Sequence, residues 1–239
     1  MDKVLLVIPA YNEGKNIERV VDHIKNDFPE LDYVVVNDGS KDDTAAICRR
    51  RGYNFIDLPV NLGLAGCFQT GMKYAWQKGY SYAVQFDGDG QHRPEFIEPM
   101  RKKMEEGYEI VIGSRFVNAK KDWSMRMLGS RLIEMAIRLT TGVTVNDPTS
   151  GMRMFNRAMV EEFAQNLNYG PEPDTISYLI KNGATVKEVQ VEMGERLAGQ
   201  SYLTFWRSVQ YMVKMSISIL LIQWFRKRDT ETPYPERSL

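Results

Sequence analysis

Apolar runs and helical periodicities alternate along the first half of the chain. Val4-Leu-Leu-Val-Ile8 is a continuous apolar run closed by Pro9, as in a strand buried on both faces of a parallel sheet. Ile17, Val20, Val21 and Ile24 then recur at helical spacing, giving a helix that ends before Pro29. Tyr33-Val-Val-Val36 predicts a second strand, broken by Asn37-Asp38-Gly39-Ser40 before a helix carrying Ala45, Ala46 and Ile47. Phe55-Ile56 reads as a short third strand. Asn61-Leu-Gly63-Leu-Ala-Gly66 opens a helix to about Gly79, and Tyr82-Ala-Val-Gln-Phe86 is the fourth strand. After Pro94 one more helix leads to the strand Glu109-Ile-Val-Ile112 and to Gly113-Ser114-Arg115. This alternation predicts an α/β fold, a doubly wound and mostly parallel sheet flanked by helices, with ligands beyond the carboxyl ends of its strands. The polar breakers all fall at those ends.

The pattern then changes. Trp123 to Leu139 is helical and rich in Met, Leu and Ile, with Arg126, Arg131 and Arg138 included. The turn-rich segment Val145-Asn-Asp147-Pro-Thr-Ser-Gly151 precedes another strand and helix. The last helix runs from about Leu203 to Phe225. Its end, Met215 to Phe225, is nearly all apolar and is followed at once by Arg226-Lys-Arg228. Eleven residues span about 17 Å as a helix, against roughly 30 Å of bilayer hydrocarbon, so this run is too short to cross a membrane. It suits the interface, with Trp206, Trp224 and Phe225 at headgroup depth and the basic cluster on anionic lipid. Packing on the core or on a second subunit is the alternative.

Composition narrows the classes. A chain of 239 residues is long enough for one large α/β domain with an appended helix. Lys and Arg total 31 and Asp and Glu total 31, so no global basic field points to nucleic acid. Cys48 and Cys67 lack the spacing of a zinc site or a disulfide framework, and His23 and His92 alone exclude a His-rich metal site. An apolar strand opening at residue 4 leaves no room for a signal peptide, which places the expected site of action on the cytoplasmic side.

The exit of the fourth strand carries the densest chemistry. Asp87-Gly-Asp89-Gly-Gln91-His92 sets two carboxylates one residue apart, where a divalent cation can share oxygens with the phosphates of a nucleotide. As an isolated pattern this is also an ordinary acidic turn. Its neighbours distinguish the two. Ile8-Pro9-Ala10-Tyr11-Asn12-Glu13, then Val36-Asn37-Asp38-Gly39-Ser40-Lys41-Asp42, then Asn61-Leu-Gly63, then Asp87 to Glu95 together resemble the family-two glycosyltransferases of the GT-A fold. Asp147-Pro-Thr-Ser-Gly151-Met-Arg153 and Arg196-Leu-Ala-Gly199-Gln-Ser201 look like the dolichyl- and polyprenyl-phosphate sugar synthases within that family. Tyr202 departs from the pattern, since those synthases commonly carry Lys after the matching serine.

The resemblance implies roles. Asp38 reads the base, for which a carboxylate suits either the imide of uracil or the donors of guanine. Pro9, Tyr11, Glu13, Gly66 and Asp87 complete the nucleotide-sugar site. Asp87, Asp89 and Gln91 hold Mg2+ or Mn2+, and Asp89, Arg115 and Asp147 are the catalytic set. Arg115, Arg126, Arg131, Arg153, Arg196 and Ser201 bind an acceptor phosphate, a group recognised by guanidinium forks. Arg131, Glu134 and Arg138 also fit a solvated ion-pair row on one helical face. Asp147-Pro-Thr-Ser150 is equally a good turn sequence.

The implied organisation is a catalytic domain over 1–200, with a nucleotide-sugar half over 1–115 and an acceptor half over 116–200. An interfacial helix over 201–228 and a flexible tail over 229–239 follow. The expected activity is inverting transfer of a hexose or N-acetylhexosamine from a UDP- or GDP-sugar to a polyprenyl phosphate. It would act peripherally at the cytoplasmic face of the cell membrane, in cell-wall glycan assembly. The C-terminal helix leaves room for a homo-oligomer or a small membrane-protein partner. Transfer to a polysaccharide hydroxyl and a non-catalytic membrane adaptor on the same fold are the alternatives.

Overall fold

A computed structural model of the chain describes residues 3–119, 121, 123–166, 169–194 and 205–221. Seven strands, β1 (Val4–Ala10), β2 (Asp32–Asn37), β3 (Phe55–Asp57), β4 (Tyr82–Gln85), β5 (Ile110–Ser114), β6 (Arg153–Asn156) and β7 (Val186–Gln190), form one sheet in the order β3-β2-β1-β4-β6-β5-β7. All neighbours are parallel except β6, which runs antiparallel to both β4 and β5. That reversal decides where the first residue of the strand lies. The first residue of β6, Arg153, pairs in register with Gln85 and Ile112, at the edge where β4 and β5 end.

Alternation along the strands divides the core into two layers. Leu5, Val7, Ala83, Ile110, Ile112 and Phe155 face one side, and Leu6, Ile8, Val84, Val111 and Met154 the other. The second face is covered by α1 (Ile17–Asp27), α2 (Thr44–Arg51) and α4 (Ile97–Glu105), the last preceded by a 3-10 turn at Pro94–Phe96. The first is covered by α3 (Gly63–Gln77), α5 (Met125–Thr141), α6 (Arg157–Gln165), α7 (Pro173–Lys181) and α8 (Phe205–Leu220). Phe68, Phe155 and Phe163 meet there with ring centroids 5.1 to 5.7 Å apart, in tilted and edge-to-face contacts. Helix α3 lies so close to β1 that a methyl group on Gly71 would sit 2.1 Å from Val7 Cγ1.

Helix α5 starts at Met125, two residues later than its apolar pattern predicts. Ser124 caps it, its Oγ accepting from Met127 N–H, and Gly142 closes it in the left-handed conformation. Helices α5, α7 and α8 pack on one another, and α8 buries Met215 and Ile219 in the same core as the sheet. Neither α7 nor β7 stands out in the hydrophobic pattern. The reason for β7 is its composition, Val-Lys-Glu-Val-Gln, on a sheet edge where only part of each side chain is covered.

Candidate active site

The sequence-selected residues converge at the carboxyl edge of β1, β2 and β4. Beyond β1, Asn12 adopts φ 57°, the one non-glycine residue with positive φ among those described, and two bonds hold it there. Its N–H donates to Ser40 Oγ at 2.9 Å, and its Oδ1 accepts from Lys41 N–H at 2.8 Å. Glu13 is fixed by its N–H to Thr44 Oγ1 at 2.9 Å and accepts from Asn16 Nδ2 at 2.7 Å. The loops after β1 and β2 are thus tied together, with Tyr11 left 43 % exposed on top.

Asp38 is buried at the end of β2. Its Oδ1 accepts from Leu62 N–H at 2.7 Å and its carbonyl from Asn61 Nδ2 at 3.1 Å, so the Asn61-Leu-Gly63 turn is the frame of this carboxylate. Gly39 has φ 62°, and a side chain there would strike Val60 and Asn61 backbone at 2.8 Å. Gly66 sits in the first turns of α3, where a methyl group would lie 2.6 Å from Leu62 Cβ. Its contribution is to let that turn close.

Asp87 and Asp89 follow β4. His92, buried against Phe86, accepts the Asp87 N–H at Nδ1 over 2.8 Å, which puts the imidazole proton on Nε2, 3.6 Å from Asp87 Oδ2. Asp89 Oδ1 accepts from Gln91 N–H at 3.0 Å. The Gln91 side-chain nitrogen reaches Gly194 O at 3.4 Å, while Gly194 N–H donates to Gln91 O at 2.8 Å. The segment after β7 therefore closes over the acidic loop, leaving Gln91 Oε1 as the atom fit for a cation. No group of three or more His, Cys, Asp or Glu side chains suited to a metal occurs among the described residues. Two carboxylates nevertheless fit Mg2+ or Mn2+, which are usually held by one or two carboxylates together with substrate phosphates.

Beyond β5 the polar residues centre on one ion pair. Arg115, just past β5, donates from Nε to Asp147 Oδ2 at 2.7 Å and from Nη2 to Asp147 Oδ1 at 2.8 Å, with its backbone N–H on Oδ2 at 3.0 Å. Asp147 is fully buried, whereas the Arg115 side chain stays 23 % exposed and its pKa is raised by the carboxylate it binds. Glu188 of β7, which sequence reasoning missed, accepts the N–H groups of Asn146 and Asp147, each at 2.8 Å, and so holds the turn. Arg153 lies beneath, with Nη2 on Pro148 O at 2.7 Å.

The remaining cations separate. Arg131 donates to Lys121 O at 2.9 Å and stacks 4.6 Å from the Trp123 ring centroid. Glu134 is paired with Lys121 at 2.7 Å, so the ion-pair row that was the alternative for Arg131, Glu134 and Arg138 gives way to a tie to the segment before the helix. Lys121, only 7 % exposed, is another residue that sequence pattern did not single out. Arg196 and Ser201 lie outside the described residues, as does the side chain of Arg126.

Comparison with known proteins gives the arrangement a family. The pattern described as "Glycosyl transferase family 2" matches residues 5–163. Polyprenol monophosphomannose synthase of Mycolicibacterium smegmatis is 28% identical, over 84% of this chain and 81% of its own. UDP-N-acetylglucosamine–dolichyl-phosphate N-acetylglucosaminyltransferase of Methanococcus voltae is 30% identical, over 80% of this chain and 86% of its own. Undecaprenyl-phosphate mannosyltransferase of Micrococcus luteus is 27% identical, over 84% and 88%. Among solved structures, glucosyl-3-phosphoglycerate synthase of Mycobacterium tuberculosis, in complex with Mn2+, UDP and glucosyl-3-phosphoglycerate, shares the fold with a TM-score of 0.66 at 18% identity, covering 95% of this chain and 82% of that one. The ordered loops around Asp38 and Asp87, the family pattern over 5–163 and relatives matched across most of their length lead to one conclusion: this chain belongs to glycosyl transferase family 2.

Proposed function

We propose that this chain is an inverting transferase that moves a hexose or N-acetylhexosamine from a UDP- or GDP-sugar to a polyprenyl phosphate at the cytoplasmic face of the membrane. The observation that carries the reading is the Arg115–Asp147 pair. A hydroxyl acceptor needs a base to remove its proton, and Asp147 is the carboxylate beside Arg115 that would have to serve. Both of its oxygens are held by Arg115 and it has no exposed surface. The acceptor side therefore presents a guanidinium. A phosphate monoester, whose second pKa is about 6, is already ionised and asks for a cation.

Each residue then has a physical task. Tyr11 offers an exposed ring to the nucleoside, and Asp38, with Oδ1 used on Leu62, reads the base with its other oxygen. Asp87 and Asp89, with Gln91, would hold a divalent cation, which would supply positive charge beside the leaving nucleoside diphosphate. Arg115 Nη1 has no partner among the described residues and serves the acceptor phosphate, while Asp147 keeps the guanidinium in place. Arg153 supports that turn from below.

Membrane attachment is supported by two apolar stripes. Leu132, Met135 and Leu139 on α5, Val213, Ile217 and Leu220 on α8, and Leu221 just after it are 41 % to 73 % exposed. The two helices pack on each other and both rest on α7, and these apolar residues are the ones that this packing leaves uncovered. No described helix is long and apolar enough to cross a membrane, in keeping with a peripheral mode. A competition assay tests the assignment: with Mn2+ and a panel of UDP- and GDP-sugars, label should enter polyprenyl phosphate and leave the matching polyprenol untouched. Transfer only to a glycan hydroxyl would overturn it.

A further inference from the structure

Arg153 is 3 % exposed, and its Nε is buried with no hydrogen-bond partner. A guanidinium so placed is strongly unfavourable without counter-charge. Burial pulls its pKa down, and the charges of Glu172, Tyr211, Asp147 and Asp87 act in the other direction. Asp147 and Asp87 belong to the site itself. Glu172 and Tyr211 come from outside it, and they are bonded to each other: Tyr211 Oη, on α8, donates to Glu172 Oε2 at the start of α7. Glu172 precedes α7 without making a side-chain cap, so its carboxylate is committed to Tyr211. A phenylalanine would fill the same space on α8, and packing alone gives no reason for the hydroxyl.

We propose that Tyr211 and Glu172 are positioning residues of the acceptor site, through which helix α8 fixes Arg153 and thereby the turn that carries Asp147 and Arg115. The links are hydrogen bonds at either end and, between them, the attraction of the Glu172 carboxylate for the Arg153 guanidinium. Tyr211 orients Glu172, Glu172 supplies counter-charge to Arg153, Arg153 Nη2 holds Pro148 O at 2.7 Å, and the adjoining Asp147 grips Arg115 at 2.7 and 2.8 Å. The helix whose outer face is apolar thus reaches the site with its inner face, and the arm that meets the lipid surface also sets the cation that meets the lipid's phosphate. This inference rests on the proposed acceptor.

The test is steady-state kinetics of the full chain with varied polyprenyl phosphate and, separately, varied donor. Removing a hydrogen bond to a charged group predicts a rise of about tenfold in acceptor KM for Tyr211→Phe, with donor KM unchanged within about twofold. Glu172→Gln should move acceptor KM in the same direction. Ser218→Ala is the control, because Ser218 Oγ makes the other bond from α8 to α7, donating to Asp174 Oδ2 at 2.6 Å. It should lower the melting temperature and leave acceptor KM alone. Equal effects of Ser218→Ala and Tyr211→Phe on acceptor KM, or no effect of Tyr211→Phe in an enzyme that uses polyprenyl phosphate, overturn the inference alone. A wild-type enzyme that ignores polyprenyl phosphate overturns the acceptor reading beneath it.

Discussion

Asp87 Oδ2 lies so close to Gly151 that a methyl group on that glycine would sit 2.7 Å from it. The turn that opens β6 and the acidic loop after β4 are therefore built as one surface, and the absence of a side chain at 151 sets where the carboxylate stands. Gly151→Ala should displace Asp87 while leaving the core intact. The expected result is at least about a tenfold loss of kcat, as for other small misplacements of reacting groups. An unchanged kcat in a folded Gly151→Ala enzyme would show that Asp87 is not needed at that position.

Asp147→Asn separates a positioning acid from a base. Removing one partner of a buried pair costs about 3–5 kcal/mol, so the variant should lose stability in a denaturant titration and raise acceptor KM as Arg115 loosens. A base would instead take about 10²–10⁴ from kcat. The balance between KM and kcat in this one variant reports which role the residue has.

Chelation should stop turnover, and added Mn2+ or Mg2+ should restore it. Asp89→Asn should raise the Mn2+ concentration needed for half-maximal rate by about tenfold or more, the usual scale for losing one charged oxygen ligand or its support. Activity that persists in excess chelator would contradict the metal assignment.

The apolar stripes on α5 and α8 make a separate prediction about surfaces. Burying a leucine or isoleucine side chain contributes about 1.5–3 kcal/mol, so Leu139→Glu combined with Ile217→Glu should weaken binding to anionic vesicles at least about tenfold. Co-sedimentation measures this without reference to catalysis. Unaltered binding would place the membrane contact elsewhere.

Cys48 and Cys67 are both buried, and burial pushes their thiols up from 9.0 to about 11 and about 12. At pH 8 the thiolate fraction of Cys48 is then about one in a thousand, against roughly a tenth or more for a free thiol. Neither should react with a thiol reagent in the native protein at pH 8, and both should react on unfolding. Because the folded protein favours the protonated thiols, stability is retained below pH 9 and falls as pH rises towards 11.

Much of this was readable from the sequence, for identifiable reasons. Strands β1, β2 and β5 are buried on both faces and appear as apolar runs, and Asp38, Asp87 and Asp89 fall where such runs break. What the sequence did not display are pairings across the fold. Glu188 sits in a short strand of mixed polarity, Val-Lys-Glu-Val-Gln, and its work on the Asn146 and Asp147 N–H groups depends on β7 lying beside β5. Lys121 meets Glu134 only because the strap before α5 folds back on the helix. The reversed direction of β6 is likewise invisible in Arg-Met-Phe-Asn, yet it brings Arg153 to the site.

The most direct measurement of the central claim is the structure of the product. Lipid made by the wild-type enzyme from an α-linked nucleotide sugar, Mn2+ and polyprenyl phosphate should show, by phosphorus and proton NMR, a sugar joined through its anomeric carbon to the phosphate in the β configuration. A sugar attached to a hydroxyl, a retained α linkage, or no glycolipid with any UDP- or GDP-sugar would contradict the account.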